Sequence, residues 1–313
     1  MKKIGTIILS FFFLISIPLW MKDIYYLRII NMIGISVLLT LGFNLLIGFT
    51  GQISLGQAAF YGVGAYVSAL LSARLGIPFW IALPAAGMAG GLLGVLIGPV
   101  LRLRGHGLAM ATFFLGEIVK IILVQWESVT GGANGIISVP YPRIGGWVLS
   151  TNEQFYYLIL IAVILNYFVI IRVIDSRVGR AMQAIRDNQE AAEVIGIHAT
   201  RYKIIAFMIA GIFSGIAGSL YAHLTAFVSP ESFDVIKSVE ILTMVVVGGA
   251  GSLPGSIIGA ALMTILPEVL RIFQEYRLIL FGGMILFILN FLPKGLAGLT
   301  GQAFSGWKRK KEI

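Results

Sequence analysis

Ten apolar runs, spread from one end of the chain to the other, leave lipid as the solvent this sequence suits. A spanning helix takes about 20 mostly apolar residues. The candidates are 4–21, 29–49, 57–75, 80–101, 107–126, 155–174, 204–224, 237–248, 255–273 and 277–293. Of the 313 residues, 58% are hydrophobic and 12% charged, against about 25% charged in an average soluble domain. A soluble core cannot hide so much apolar surface. The expected fold is therefore all-α, a single polytopic helical bundle over residues 1–313. The run 237–248 is too short to cross alone and must be a half-helix buried among its neighbours. Eight to ten crossings fit. The N-terminal run has the basic-then-apolar shape of a secretion signal but no small-residue cleavage site, so it reads as an uncleaved first span.

With the N-terminus in the cytoplasm, Lys and Arg fall about two to one on the inner side, as the positive-inside bias requires. Both termini are then cytoplasmic, and so are 102–106 and 175–203. That distribution accounts for the net charge of +9 without nucleic acid as a partner. There is no cysteine, which removes disulfides, thiolate metal ligands and thiol nucleophiles together. His106, His198 and His223 are scattered, and no metal site or catalytic set emerges.

Two glycine-rich breaks interrupt the apolar pattern. One is "GFTGQISLGQAAFYGVGAY", Gly48 to Tyr66; the other is "VVVGGAGSLPGSIIGAAL", Val245 to Leu262. Each carries a Ser-Leu pair just before a span. Paired breaks in the two halves point to a translocation path, with Gln52, Ser54, Gln57 and Ser252 as its polar groups. Close helix packing would favour the same glycines. Glu117 and Lys120 lie at i, i+3 near the middle of the fifth run, either as a mutually neutralising pair or as path residues. Glu240, at the start of the short run, is either a path residue or a carboxylate favoured by a helix N-terminus.

The polar stretch "GRAMQAIRDNQEAAEVIGI", Gly179 to Ile197, stands out between apolar runs. Val178, Met182 and Ile185 form one helical stripe. Asp187 and Glu190 fit a D-x-x-E capping box that restarts a helix near residue 188. Gly196 is a natural left-handed stop, and Thr200 suits the cap of the next span. Two short helices with a corner are expected. Such short helices are marginal alone, so they need either the membrane surface or a protein groove to lie against.

"EAAEVIG", Glu190 to Gly196, resembles the E-A-A-x-x-x-G signature of permease subunits of ABC importers, carried by Glu190, Ala191, Ala192 and Gly196. With "AIRDNQEAAEVIGIHATRYKIIAF", both glycine-rich breaks and "GLAMATFFLGEIVKIILVQWESVTGGANGI", in the expected order, the chain resembles the LivM-type permease of branched-chain amino acid importers. The resemblance implies a fold like type II ABC importers, residing in the bacterial inner membrane. It also implies a LivH-type permease partner, two cytoplasmic ATPases, membrane lipid around the spans and an extracytoplasmic substrate-binding protein that meets 127–146. Arg186, Asp187, Glu190, Ala191, Ala192 and Gly196 would dock the ATPase. No G-x-x-x-x-G-K-[ST] phosphate loop is present, so ATP-Mg would be bound by the partners and this chain would hold no cofactor. Sister permeases for urea and short amides look alike, and a stand-alone secondary transporter or channel is the rival from another class. Without a dense polar pocket in the spans, substrate selection is expected to rest with the binding protein.

Overall fold

The computed structural model describes residues 23–103 and 105–270, with isolated positions on either side. The first and tenth expected spans, and the end of the ninth, lie outside the described residues. The others appear with small shifts of boundary: α1 Ile24–Asn44, α2 Gln57–Ala73, α3 Phe79–Leu96, α4 His106–Gln125, α5 Asn152–Asp175, α8 Ala199–Thr225, α9 Val235–Gly248 and α10 Leu253–Val269. Two short helices, α6 Arg177–Asp187 and α7 Gln189–Val194, fill the polar loop. Among the described residues, five helical stretches are long and apolar enough to cross a bilayer, the first being α1 with its π-helical extension Leu45–Phe49.

The bundle is built around α8, which packs against α2, α3 and α1, while α1 also lies along α5 and α10. Lipid offers no hydrophobic drive between helices, so close backbone approach has to supply dispersion. A Cβ on Gly211 of α8 would run into the Gly90 carbonyl of α3, and one on Gly90 would run into the Gly211 carbonyl. Gly211→Val should therefore push α3 from α8 and cost about 1–3 kcal/mol, the usual range for overpacking. A lowered thermal midpoint of the purified protein is the expected reading; an unchanged midpoint would show that the crossing can absorb the methyl groups. The helices α4 and α5 leave most of their apolar surface uncovered and lie at the periphery of the chain.

Paired contacts sort the loops onto two ends. At one end, Arg74 donates to the Ser128 carbonyl, the Trp80 indole donates to the Arg143 carbonyl at 2.7 Å, and strands β1 (Ile136–Ile137) and β4 (Phe227–Val228) pair antiparallel. A small hairpin of β2 (Arg143–Ile144) and β3 (Trp147–Val148) lies there too. Buried His223 closes this end: its Nδ1–H donates to the Pro140 carbonyl at 2.6 Å, which leaves Nε2 to accept from the Ser68 hydroxyl at 3.0 Å. Exposed Trp20, Trp80, Trp126 and Trp147 collect at the same end, as an interfacial aromatic belt does. The other end carries the polar loop with Arg172, Arg177, Arg180, Arg186 and Arg201.

The half-helix expected in the eighth run is there. At about 1.5 Å per residue, the 14 residues of α9 reach about 21 Å. The chain re-enters the bundle through 230–234, burying Phe233 against the rings of Tyr61 and Tyr66 at 5.0 and 6.1 Å. The first turn of α2 meets the first turn of α9, where the Ala58 N–H donates to Ser238 Oγ at 2.9 Å.

Candidate functional site

The polar loop folds as two short helices with a corner. Met182 and Ile185 are buried and Val178 is half-buried, so the expected stripe faces inward. Ser176 caps α6 by accepting from the Val178 and Gly179 N–H groups. The cap of α7 lies one residue later than expected. Asn188 Oδ1 accepts from the Ala191 N–H at 3.0 Å, while Asp187 is held by the Arg186 guanidinium at 3.0 Å. Both residue types cap well, but Asp187 is still the last helical residue of α6, whereas Asn188 has the extended backbone that a cap needs. Gly196 has φ +87° with open space around it, the expected left-handed stop. The following span is entered through His198, which makes no side-chain cap, rather than through Thr200.

Of the six residues assigned to docking, Arg186, Asp187, Glu190, Ala191 and Gly196 are exposed. Ala192 is not: it is 2% exposed, packed with Ile185 and Ala199, so it holds the elbow together. The apolar face presented outward is Val194 and Ile195, 87% and 74% exposed. Arg186 reaches the other way, donating from Nη1 to the Gly48 carbonyl at 2.7 Å at the end of the π-helical turn. Single π-helical turns within α-helices recur at functional sites.

From Gly48 the polar connections continue into the second break. Asn44, fully buried, accepts from the Gly251 N–H at 2.8 Å with Oδ1 and donates from Nδ2 to the Ser252 carbonyl at 3.1 Å. A Cβ on Gly48 would collide with Gly251 and Asn44. The two glycine-rich breaks therefore touch, and Arg186 and Asn44 tie them to the polar loop. Sequence reasoning missed Asn44; the signal available was a lone amide in the last turn of an apolar span, just before a break.

The expected path residues do not form one cluster. Gln52 is buried and bonds the Thr50 carbonyl at 2.9 Å; Ser54 accepts from the Gly56 N–H at 3.3 Å. Gln57 donates to Ser214 Oγ at 2.6 Å, and its Oε1 has no partner. Ser252 caps α10 through the Gly255 N–H at 3.1 Å. Glu117 and Lys120 are half-buried on peripheral α4, and no ion pair joins them. Helical spacing permits that pair, but no enclosing neighbour forces it.

Glu240 does have a partner: Lys237 Nζ donates to its Oε2 at 2.9 Å. Both line a cavity of about 580 Å³ between α1, α9 and α10. The spans do contain a charged pocket, contrary to expectation, because segments far apart in the chain converge on it. Among the described residues, no group of His, Cys, Asp or Glu has metal-site geometry.

Apolar membrane-length helices, two touching helix breaks and a polar elbow at one end define an integral-membrane transport subunit. The family described as "Branched-chain amino acid transport system / permease component" matches residues 25–289. The chain belongs to that family. It is 39% identical to the high-affinity branched-chain amino acid transport system permease protein LivM of Salmonella typhimurium over 296 residues, covering 87% of this chain and 70% of the relative. Against LivM of Escherichia coli it is 39% identical over 290 residues, 85% of this chain and 68% of the relative. Against the permease LivH of Salmonella typhimurium it is 24% identical over 282 residues, 83% of this chain and 90% of the relative. These relatives are permease proteins rather than enzymes. No solved structure matches the chain.

Proposed function

We propose that the chain passes leucine, isoleucine and valine inward as one of two permease subunits of an ATP-driven importer. It forms one transmembrane domain of type II importer fold, with a coupling loop at 175–203 within it. It sits in the bacterial inner membrane with both termini cytoplasmic. A LivH-type subunit completes the permease pair, a reading supported by the 24% identity to LivH itself. Two ATPase chains bind ATP-Mg and close against α6 and α7. A binding protein delivers substrate to the tryptophan-rich end, where Ile137, Trp147 and Ile144 are exposed.

The observation that carries this reading is the elbow itself. It presents Glu190, Ala191, Val194 and Ile195 outward, and Arg186 reaches inward to the first helix break. A stand-alone transporter would leave this elbow with only the membrane surface to lie against. Closure of the ATPases moves α6, Arg186 carries the movement to Gly48, and Asn44 carries it on to Gly251 and Ser252. The test of substrate class is uptake of labelled leucine by membrane vesicles containing the full importer, with unlabelled competitors. Isoleucine and valine should compete and urea should not. Competition by urea or acetamide alone would move the chain to an amide importer.

A further inference from the structure

The cavity beside α9 has features the transport reading does not use. Its volume of about 580 Å³ lies inside the range of small-molecule pockets, about 300–1,000 Å³. Met32, Ile35 and Leu39 of α1 form one apolar wall, and Ile236 and Val239 of α9 stand opposite. The polar groups are mostly committed to the fold. Asp234 caps α9 by accepting from the Lys237 N–H at 3.0 Å. Ser36 accepts from Thr264 Oγ1 at 3.0 Å, and Ser232 is shared between Ser229 and Tyr221.

Lys237 and Glu240 differ. They bond to each other at 2.9 Å across one turn, with their side chains 28% and 27% exposed along the cavity. An i, i+3 ion pair contributes little to a helix, so its worth to α9 alone does not explain two charges on a half-helix set among the spans, where charges are costly.

We propose that this cavity is a resting site for a zwitterion with an aliphatic side chain, with Lys237 and Glu240 as its two charge partners. The inference rests on the proposed function for the class of cargo. A zwitterion can open this pair and leave neither member alone; the further carboxylate on the lining, Glu231, is exposed to water. The ligand's carboxylate takes Lys237 and its ammonium takes Glu240, so two ion pairs replace one. A simple cation or anion would strand one member of the pair in a half-buried place, which is strongly unfavourable. A neutral ligand such as urea has no charge with which to replace either partner. The aliphatic side chain then lies against Met32, Ile35 and Leu39. Affinity is low because the protein's own pair competes, which suits a site that must release its cargo.

The test uses the assembled permease–ATPase complex in nanodiscs, without the binding protein, read by saturation-transfer NMR. Leucine should give a saturable signal, while isoamylamine and 4-methylpentanoate, each lacking one charge, should compete at least about tenfold more weakly, equivalent to about 1.4 kcal/mol. Lys237→Met and Glu240→Gln should each lose the leucine signal. The double variant leaves no orphaned charge, so it should keep the wild-type thermal midpoint and still lose binding and uptake. Wild-type leucine binding and uptake in that double variant, or isoamylamine competing as well as leucine, would overturn the proposal. The two readings fail separately: an unaltered importer that takes up no leucine defeats the substrate class, whereas normal uptake by the double variant defeats the cavity alone.

Discussion

Arg186→Ala should give an importer that assembles and hydrolyses ATP but moves leucine about tenfold more slowly per ATP. The Arg186 side chain makes one hydrogen bond into the bundle, to the Gly48 carbonyl at 2.7 Å. A hydrogen bond to a charged group is worth about 1.5–3 kcal/mol. The lower figure applies here, because the guanidinium is partly open to water, its side chain 39% exposed. With tenfold for every 1.4 kcal/mol or so, loss of that bond shifts the equilibrium of the break by about one decade. The exposed ion pair to Asp187 adds little, so Asp187→Asn should be near neutral. Arg186→Lys keeps a charge but not the planar fork and should recover only part of the loss. The measurement is the ratio of leucine moved to ATP hydrolysed in reconstituted vesicles. An unchanged ratio in Arg186→Ala would remove the arginine from the coupling route.

The second large effect is expected on the outer face of the elbow. Val194 and Ile195, 87% and 74% exposed, are apolar side chains on a six-residue helix that cannot be stable by itself. Burying a Val or Ile side chain is worth about 1.5–3 kcal/mol each. Val194→Asp with Ile195→Asp should forfeit that and place two carboxylates in the groove, so the ATPases should no longer co-purify. The permease should still reach the membrane, because neither side chain packs within the chain. Full ATPase recovery with the double variant would place the docking surface elsewhere, whereas loss of the permease as well would mean that the two side chains serve folding.

The spans within the described residues and both breaks were legible because their signals are local: an apolar run of set length, and glycines in a row. The elbow was legible for the same reason, through the stripe Val178, Met182 and Ile185 and the stop at Gly196. Its cap falls on Asn188 rather than Asp187 because both residue types are competent and the choice depends on where α6 ends, with Asp187 still helical and Asn188 extended. The motif alone puts Ala192 on a docking face; a six-residue helix has an inside, and Ala192 lies on it. The spacing of Glu117 and Lys120 allows a pair or a path contact, and peripheral α4 encloses neither side chain. The cavity was hidden for a different reason. Glu240 and Lys237 are near in sequence, but Met32 and Ile35 lie roughly two hundred residues away, and nothing in the pattern indicates which helices meet. Asn44 was missed because its partners, Gly251 and Ser252, are equally distant in the chain.

The route from the elbow to the breaks is tested most directly by a thiol placed on the elbow. The chain has no cysteine, so Val194→Cys introduces a single one. In the assembled importer, that thiol should cross-link to an ATPase chain with a short bifunctional reagent. A spin label at Ala250→Cys, exposed beside Gly251, in a second sample should change mobility when ATP is added, and Arg186→Ala should abolish that change while the cross-link persists. A cross-link absent in the wild-type background, or an ATP-dependent change at Ala250→Cys that survives Arg186→Ala unaltered, would contradict a coupling route through this loop.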